Sequence, residues 1–427
     1  MMTVRYERWF AVLSGLMMIF LMVACQKEQP KGYQGQGPTQ EVSTRTVPVQ
    51  KQWKGIFYFE DSTTYFSNDF DGGRLNGISY DGDDHYTLLI TAENEPINPS
   101  PWYAFKVWTA QPRTITIQLT YQYARSRYYP KISTDGVQFE PLDSTLYREI
   151  NPGEEGFGIQ AAPESIEMKV TIGQKPTWLA AQELWPSGRV ANWINALDAI
   201  GGVSQSVIGQ SVEGRPLRML TIGNTQSNKA LMIISRQHPP EVTGFIVMKS
   251  FIETITGNSS QAIRFREQFV TYVVPLMNPD GVDNGHWRHN AGGIDLNRDW
   301  AEFNQPETRA VRDFLIAQSE QGVDFVFGGD FHSTWDDIYY PIDSSVANTD
   351  NRLVYDWIEG ITTRLPQKQT NIRPSDKLEP TMVSRNYFYV GHDMPAIVFE
   401  LGDNTPRPFL REKGKVAAEE LMTLLMN

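Results

Sequence analysis

The sequence predicts an α/β domain preceded by an all-β sandwich. Three observations carry that expectation. Between Trp53 and Gly173, short apolar runs with period-two alternation are separated by Gly, Asn, Asp and Pro turns. Beyond Gly173, strand-like runs alternate with helical segments, the pattern of a sheet covered by helices. In that second half the His, Glu, Asp and Arg residues gather mostly just past the apolar runs, where open α/β sheets place their chemistry.

In the first half, Ile115, Ile117 and Leu119 alternate with Thr114, Thr116, Gln118 and Thr120, so one face of that strand is buried. Ile56–Phe59, Tyr86–Ile90, Trp102–Trp108 and Ile166–Ile172 read as further strands. Asp135-Gly136, between KIST and VQFE, reads as a hairpin turn. The sandwich is assigned to residues 51–174, and its aromatic residues to core and interdomain packing rather than to a sugar- or peptide-binding surface.

The second half is residues 175–427. Val190, Trp193, Ile194, Leu197 and Ile200 fall on one helical face, closed by Gly201-Gly202. Ile208 to Ile222 reads as a hairpin turning at Glu213-Gly214. The run Leu231-Met232-Ile233-Ile234 is a strand ending in a turn stiffened by Pro239 and Pro240, and Val242–Ile255 is the helix that follows. Phe269–Leu276, Val323–Phe327 and Ala396–Phe399 are buried-type strands leading into Asn278–Gly281, Asp330–His332 and Glu400 respectively.

A chain of 427 residues has room for two or three domains, and a net charge of −12 argues against a nucleic-acid binder, which needs a basic face. At the N-terminus, Arg5 and Arg8 precede the apolar run Trp9–Ala24, the charged and hydrophobic regions of a signal peptide, in a run slightly short for a membrane span. Leu21 to Cys25 (LMVAC) resembles a bacterial lipoprotein processing site, and Cys25 is the only cysteine. That resemblance implies that residues 1–24 are removed, that Cys25 carries a lipid anchor, and that Gln26 directs the protein to the outer membrane of the bacterial cell envelope, facing the periplasm. An uncleaved anchor and a plain secretory signal are the alternatives. Residues 25–50, rich in Gln, Pro, Gly and Thr, read as a flexible tether.

The chain has six histidines. His85 lies in the β-rich half and reads as solvated. His238 and Glu241 sit on the strand-to-helix turn, a nitrogen and an oxygen ligand close enough to share a zinc ion. His332, flanked by Asp330 and Ser333, would complete three protein ligands and leave the fourth position open, as catalytic zinc requires. His286 and His289 are rival ligands in a Gly- and Asn-rich loop that also carries Arg288.

With these residues in view, the second half resembles the M14 zinc carboxypeptidase family. The matching blocks run in order: EGRPL at Glu213–Leu217, HxxE at His238–Glu241, NPDG at Asn278–Gly281, WR at Trp287-Arg288, DLNRDW at Asp295–Trp300, DFH at Asp330–His332, and the strand-end Glu400 in VFELG. The form HPPE departs from the commoner HPGE and HARE only between the ligands. The β-rich half resembles the N-terminal domain of the cytosolic carboxypeptidase-like branch through FDGGRLNGI at Phe70–Ile78 and WYAFKV at Trp102–Val107.

The resemblance implies a carboxypeptidase-like α/β fold with a mixed central sheet flanked by helices. It implies one zinc ion on His238, Glu241 and His332, and a peptide substrate with a free C-terminal carboxylate. It assigns Glu400 as general base, Arg288 to the oxyanion, Asn297 and Arg298 to the substrate's carboxylate, and Asp295 to a zinc-bound histidine as hydrogen-bond acceptor. Tyr387, rather than Tyr389, is taken as the family's mobile tyrosine. Arg385, with Arg373 and Lys377 nearby, lies where the specificity pocket is expected and predicts a preference for acidic terminal residues. One alternative keeps the zinc and cuts the γ-D-glutamyl-diaminopimelate bond of murein peptides. Another, of a different class, is a surface peptide- or glycan-binding lipoprotein with an inactive enzyme half. No propeptide of the digestive type is evident, and the oligomeric state has no signal in the sequence.

Overall fold

Strand pairing organises the protein into three sheets among the residues that the computed structural model describes, which are 40–427 apart from 96, 155–157 and 347–351. The stretch expected to be a signal peptide, the expected lipidation site Cys25 and the start of the expected tether lie outside the described residues.

The first sheet has the order β1 (Ile56–Phe59), β2 (Thr64–Ser67), β5 (Ala104–Thr109), β11 (Thr177–Ala180), β7 (Lys131–Ser133) and β8 (Glu140–Pro141). The second has the order β3 (Gly77–Gly82), β4 (His85–Ile90), β6 (Arg113–Tyr121), β10 (Ser165–Ile172) and β9 (Tyr147–Ile150). Their inward faces share one core. Phe66 of β2 and Phe105 and Val107 of β5 join Tyr86 and Leu88 of β4, Ile115, Ile117 and Leu119 of β6, and Met168 of β10. The Phe66 and Tyr86 rings meet at 5.0 Å across the layers. One pair, β4 with β6, is parallel. The Asp135-Gly136 turn is wider than a two-residue hairpin, with pairing only from Lys131↔Pro141 and Ile132↔Glu140, because the Asp135 carboxylate accepts from the amides of Val137 and Gln138 and holds a longer loop. β11 extends the first sheet beyond residue 174.

The third sheet has the order β12 (Val203–Gln210), β13 (Pro216–Gly223), β15 (Val270–Val274), β14 (Lys229–Ser235), β16 (Asp324–Thr334), β18 (Ala396–Gly402) and β17 (Ile338–Pro341). Its centre is parallel and its flanks are antiparallel, so the sheet is mixed. The continuous apolar run of β14 is explained by burial on both faces. Leu231 and Ile233 face the side of α2 (Val242–Ile255) and α8 (Arg407–Met426). Ala230, Met232 and Ile234 face α5 (Pro306–Glu320) and α7 (Ser384–His392). The remaining helices are α1 (Ser187–Asp198), α3 (Ser260–Gln268), α4 (Pro279–Asn284) and α6 (Arg352–Arg364).

Local chemistry sets the loops that matter. NPDG is a helix start. Asn278 caps α4 by accepting from the Gly281 amide at 2.8 Å, Pro279 takes the first turn, and Gly285 closes the helix at φ 68°. α2 approaches β16 so closely that a Cβ on Gly244 would lie 2.3 Å from the His332 carbonyl oxygen. The chemical residues sit deeper than expected. Asp330 and His332 lie within β16 and Glu400 within β18, because parallel pairing continues through His332↔Glu400 to Thr334↔Gly402.

Candidate active site

The β14-to-α2 turn delivers His238 and Glu241, and the C-terminal end of β16 delivers His332. Their ligand atoms all lie within 4.8 Å of one another, and all three residues are buried. His238 Nδ1 lies 2.7 Å from one Glu241 oxygen, His332 Nδ1 lies 2.7 Å from the other, and the two Nδ1 atoms are 3.2 Å apart. Both far nitrogens are occupied. His238 Nε2 is 2.8 Å from Asp295 Oδ1, and His332 Nε2 is 2.8 Å from Asp330 Oδ2. A carboxylate accepts only, so Asp295 and Asp330 hold a proton on each Nε2, which would leave each Nδ1 to present its lone pair to a metal bound beside Glu241. Two imidazole Nδ1 atoms and a carboxylate converge in a buried place, a donor set suited to a cation.

The electrostatics agree with that donor set. Burial opposes an imidazolium at His332, yet Asp330 and Glu241 raise its pKa well above the usual range. Burial would also raise Glu241, but the two histidines hold it well below the usual carboxylate range. The donor set of two imidazoles and one carboxylate fits zinc with a position left open, and metal binding would displace protons from these groups.

Glu400 stands beside His332 in register. Its Oε2 is buried with no hydrogen-bond partner among the described residues. Burial, and then the Glu241 charge, push its carboxyl up to about 7, against the pull of His332, His238 and Arg127. Arg288 donates from Nε to Asp295 Oδ2 at 2.8 Å. Burial would lower its pKa, but Asp295, Glu241 and Glu400 together raise it. Asp295 is therefore shared by His238, Arg288 and the Asn297 amide. Asn297 accepts from the Ser384 amide at 2.9 Å, and its side-chain nitrogen lies 3.5 Å from His332 Nε2. Arg298 donates to the Asn297 carbonyl, and a third of its side chain stays exposed.

One sequence expectation meets a different arrangement. Tyr387 does not reach the metal group. Its face of α7 packs against Trp300 and Phe303, and its hydroxyl meets His392 at 3.2 Å, near the start of β16 rather than its end. His286 and His289, the rival ligands, fall outside the metal-capable group among the described residues, and their Nδ1 atoms pair with the His289 carbonyl and the Asn94 side chain. Arg385 is buried and donates to the Tyr340 carbonyl at 3.1 Å, with its guanidinium 5.5 Å from the Tyr340 ring.

Other residues at the site carried no assignment. Gln237 bridges Asp330 and the Trp300 indole. Tyr340 feels Glu400, Arg373 and Arg385 after burial in its raised pKa. Arg127, from the β-rich half, pairs with Asp403 at 2.7 Å and donates to the Ser333 carbonyl at 3.2 Å. The Asp330 carboxylate was visible as a flank of His332; Arg127 has no local signal, because its partners are distant in the chain.

A family model described as zinc carboxypeptidase matches residues 191–414, more than half of the chain. The chain belongs to the M14 zinc carboxypeptidase family. Among curated relatives, an uncharacterized protein of Zymomonas mobilis is 27% identical over 264 residues, 60% of this chain and 64% of that protein. Cytosolic carboxypeptidase 3 of Bos taurus is 25% identical over 275 residues, 57% of this chain and 26% of that protein. The chain thus spans less than two thirds of the length of these relatives. A metallo-carboxypeptidase from Burkholderia cenocepacia superposes with a TM-score of 0.70 at 20% identity, over 85% of this chain and 99% of that one. One from Pseudomonas aeruginosa gives 0.68 at 23% identity, over 84% and 99%. These two show the carboxypeptidase-like fold across both the β-rich region and the M14 domain. Among the described residues His238, Glu241 and His332 are the one group of three able to hold a metal, and in this family that metal is zinc.

Proposed function

We propose that this M14 protein is a zinc-dependent carboxypeptidase that removes the C-terminal amino acid of a peptide. The observation that carries the reading is the convergence of three buried acceptors, each imidazole held from behind by a carboxylate, beside a Glu400 carboxyl pushed up to about 7. Zinc bound there supplies Lewis acidity, lowering the pKa of a water from about 15.7 towards 7 and polarising a carbonyl. Glu400 takes the proton of the attacking water and later gives it to the leaving amine; a base with a pKa near the working pH serves both steps. Arg288, fixed by Asp295, donates to the carbonyl oxygen as negative charge builds there. Arg298 and the side-chain NH2 of Asn297 take the substrate's terminal carboxylate, for which a guanidinium fork is suited.

A preference for acidic terminal residues follows from Arg385 and Arg373, both within electrostatic reach of Tyr340, which also feels Glu400. The proposal includes export by the N-terminal signal and lipidation at Cys25. A globomycin-sensitive size shift, lost in Cys25→Ser, is the expected result; no shift would remove that part. For the reaction, a panel of peptides ending in Glu, Lys or Phe, together with muropeptides, is read by mass spectrometry with and without zinc. Zinc-dependent loss of one terminal residue, fastest for Glu, is expected. A clear Lys preference overturns the specificity, and cleavage of muropeptides alone replaces the substrate.

A further inference from the structure

The loop that carries Arg288 is held by a residue from the other half of the protein. Glu93 lies just after β4 and is fully buried. Its Oε2 accepts from the Trp287 amide at 2.7 Å, and its Oε1 accepts from the amides of Arg288 at 3.0 Å and His289 at 2.7 Å. Three successive backbone N–H groups thus converge on one carboxylate, an anion nest filled from within the chain. Neighbouring contacts tighten the same grip. Asn94 bonds the His289 ring and the Gly293 carbonyl, and the Trp287 indole donates to the Trp102 carbonyl at 3.1 Å.

The arrangement requires a charged acceptor. A glutamine of the same size would turn an N–H toward at least one of the three amides. Burial opposes the charge on Glu93, yet His286, Arg74 and His289, with the Trp287 amide, hold its carboxyl down to about 2. Among the described residues the guanidinium of Arg288 is anchored through Nε to Asp295, so its reach depends on where the backbone of 287–289 sits.

We propose that Glu93 is a positioning residue for hydrolysis, setting the orientation of Arg288 by capturing the amides of Trp287, Arg288 and His289. The proposal rests on the carboxypeptidase reading above. It makes the β-rich half part of the catalytic apparatus, acting through a backbone loop and not by touching the substrate.

The test uses the full chain loaded with zinc and compares Glu93→Gln, Arg288→Ala and the double variant on a cleaved peptide. Hydrogen exchange of residues 286–293 and zinc content are measured alongside. Glu93→Gln is expected to lower kcat by about 10- to 100-fold with KM and zinc content nearly unchanged, because small misplacements of a catalytic group cost that much. The amides of 287–289 are expected to lose protection. In the Arg288→Ala background, Glu93→Gln is expected to add little. Glu93→Asp, which keeps the charge at shorter reach, should fall between wild type and Glu93→Gln, and it serves if the Gln variant does not fold. Unchanged kcat, unchanged exchange, or losses that multiply in the double variant would each overturn the positioning role. An inactive wild type would overturn the carboxypeptidase reading with it, whereas an active wild type indifferent to Glu93 removes this proposal alone.

Discussion

Asp295 and Asp330 hold the far nitrogens of the two histidines in the metal group and would fix their tautomers once a metal is bound. Asp330 holds His332 Nε2 at 2.8 Å and also accepts from Gln237. Asp330→Asn keeps the shape but removes the charge that fixes the ring, and carboxylates in this position are typically worth about 10- to 100-fold in metal affinity. Zinc affinity measured by chelator competition should fall by that factor; an unchanged value would deny Asp330 its role. At this scale the sequence was legible where a residue and its partner share a motif. His238 with Glu241, and Asp330 with His332, are such pairs. It was not legible for Glu93 or Arg127, whose partners lie in the other half. Nor did it settle Tyr387, because which side of α7 faces the metal depends on how that helix packs against Trp300 and Phe303.

Among the elements, the contact of α2 with β16 places the metal group. Gly244 lets the helix approach the His332 carbonyl, where a Cβ would be 2.3 Å away. Gly244→Ala must push α2 and β16 apart, at a cost of about 1–3 kcal/mol for overpacking. Denaturant unfolding should show that loss, accompanied by weaker zinc binding, since His332 sits on β16 and Glu241 is the N-cap residue of α2, the two elements forced apart. A variant with wild-type stability and zinc affinity would contradict the close packing. The β14 strand, the α2 helix and the hairpin from β12 to β13 were plain from periodicity. The end of β16 was not. Its apolar pattern fades at Gly328-Gly329-Asp330, but pairing with β14 and β18 carries the strand on to Thr334.

In the whole molecule, the two halves share polar ties as well as core. Arg127 reaches Asp403 and Ser333, Lys54 the Asp283 carbonyl, and Glu93 the Arg288 loop. Glu307, in the first turn of α5, ties further segments together, accepting from the Val212 amide at 3.3 Å and from Asn290 at 3.1 Å. Burial pushes its carboxyl up to about 7, from an ordinary value of 4.5. Between those values the folded state keeps a proton that the unfolded chain has lost. Stability from this group is therefore fully present below about 4.5 and is lost as pH rises through about 7, by at most about 3 kcal/mol. Glu307→Gln should flatten that decline in melting curves taken from pH 5 to 8; an identical slope would show that Glu307 does not titrate in the fold. The paired-domain architecture was legible from two kinds of periodicity, but the dependence of the site on the β-rich half was not, since it is made by contacts between distant segments. The most direct measurement of the central claim is zinc content and peptide hydrolysis in Glu400→Ala. Bound zinc at the wild-type level with hydrolysis abolished is the predicted result. Wild-type hydrolysis in that variant would contradict Glu400 as the proton carrier beside a His238, Glu241 and His332 metal site.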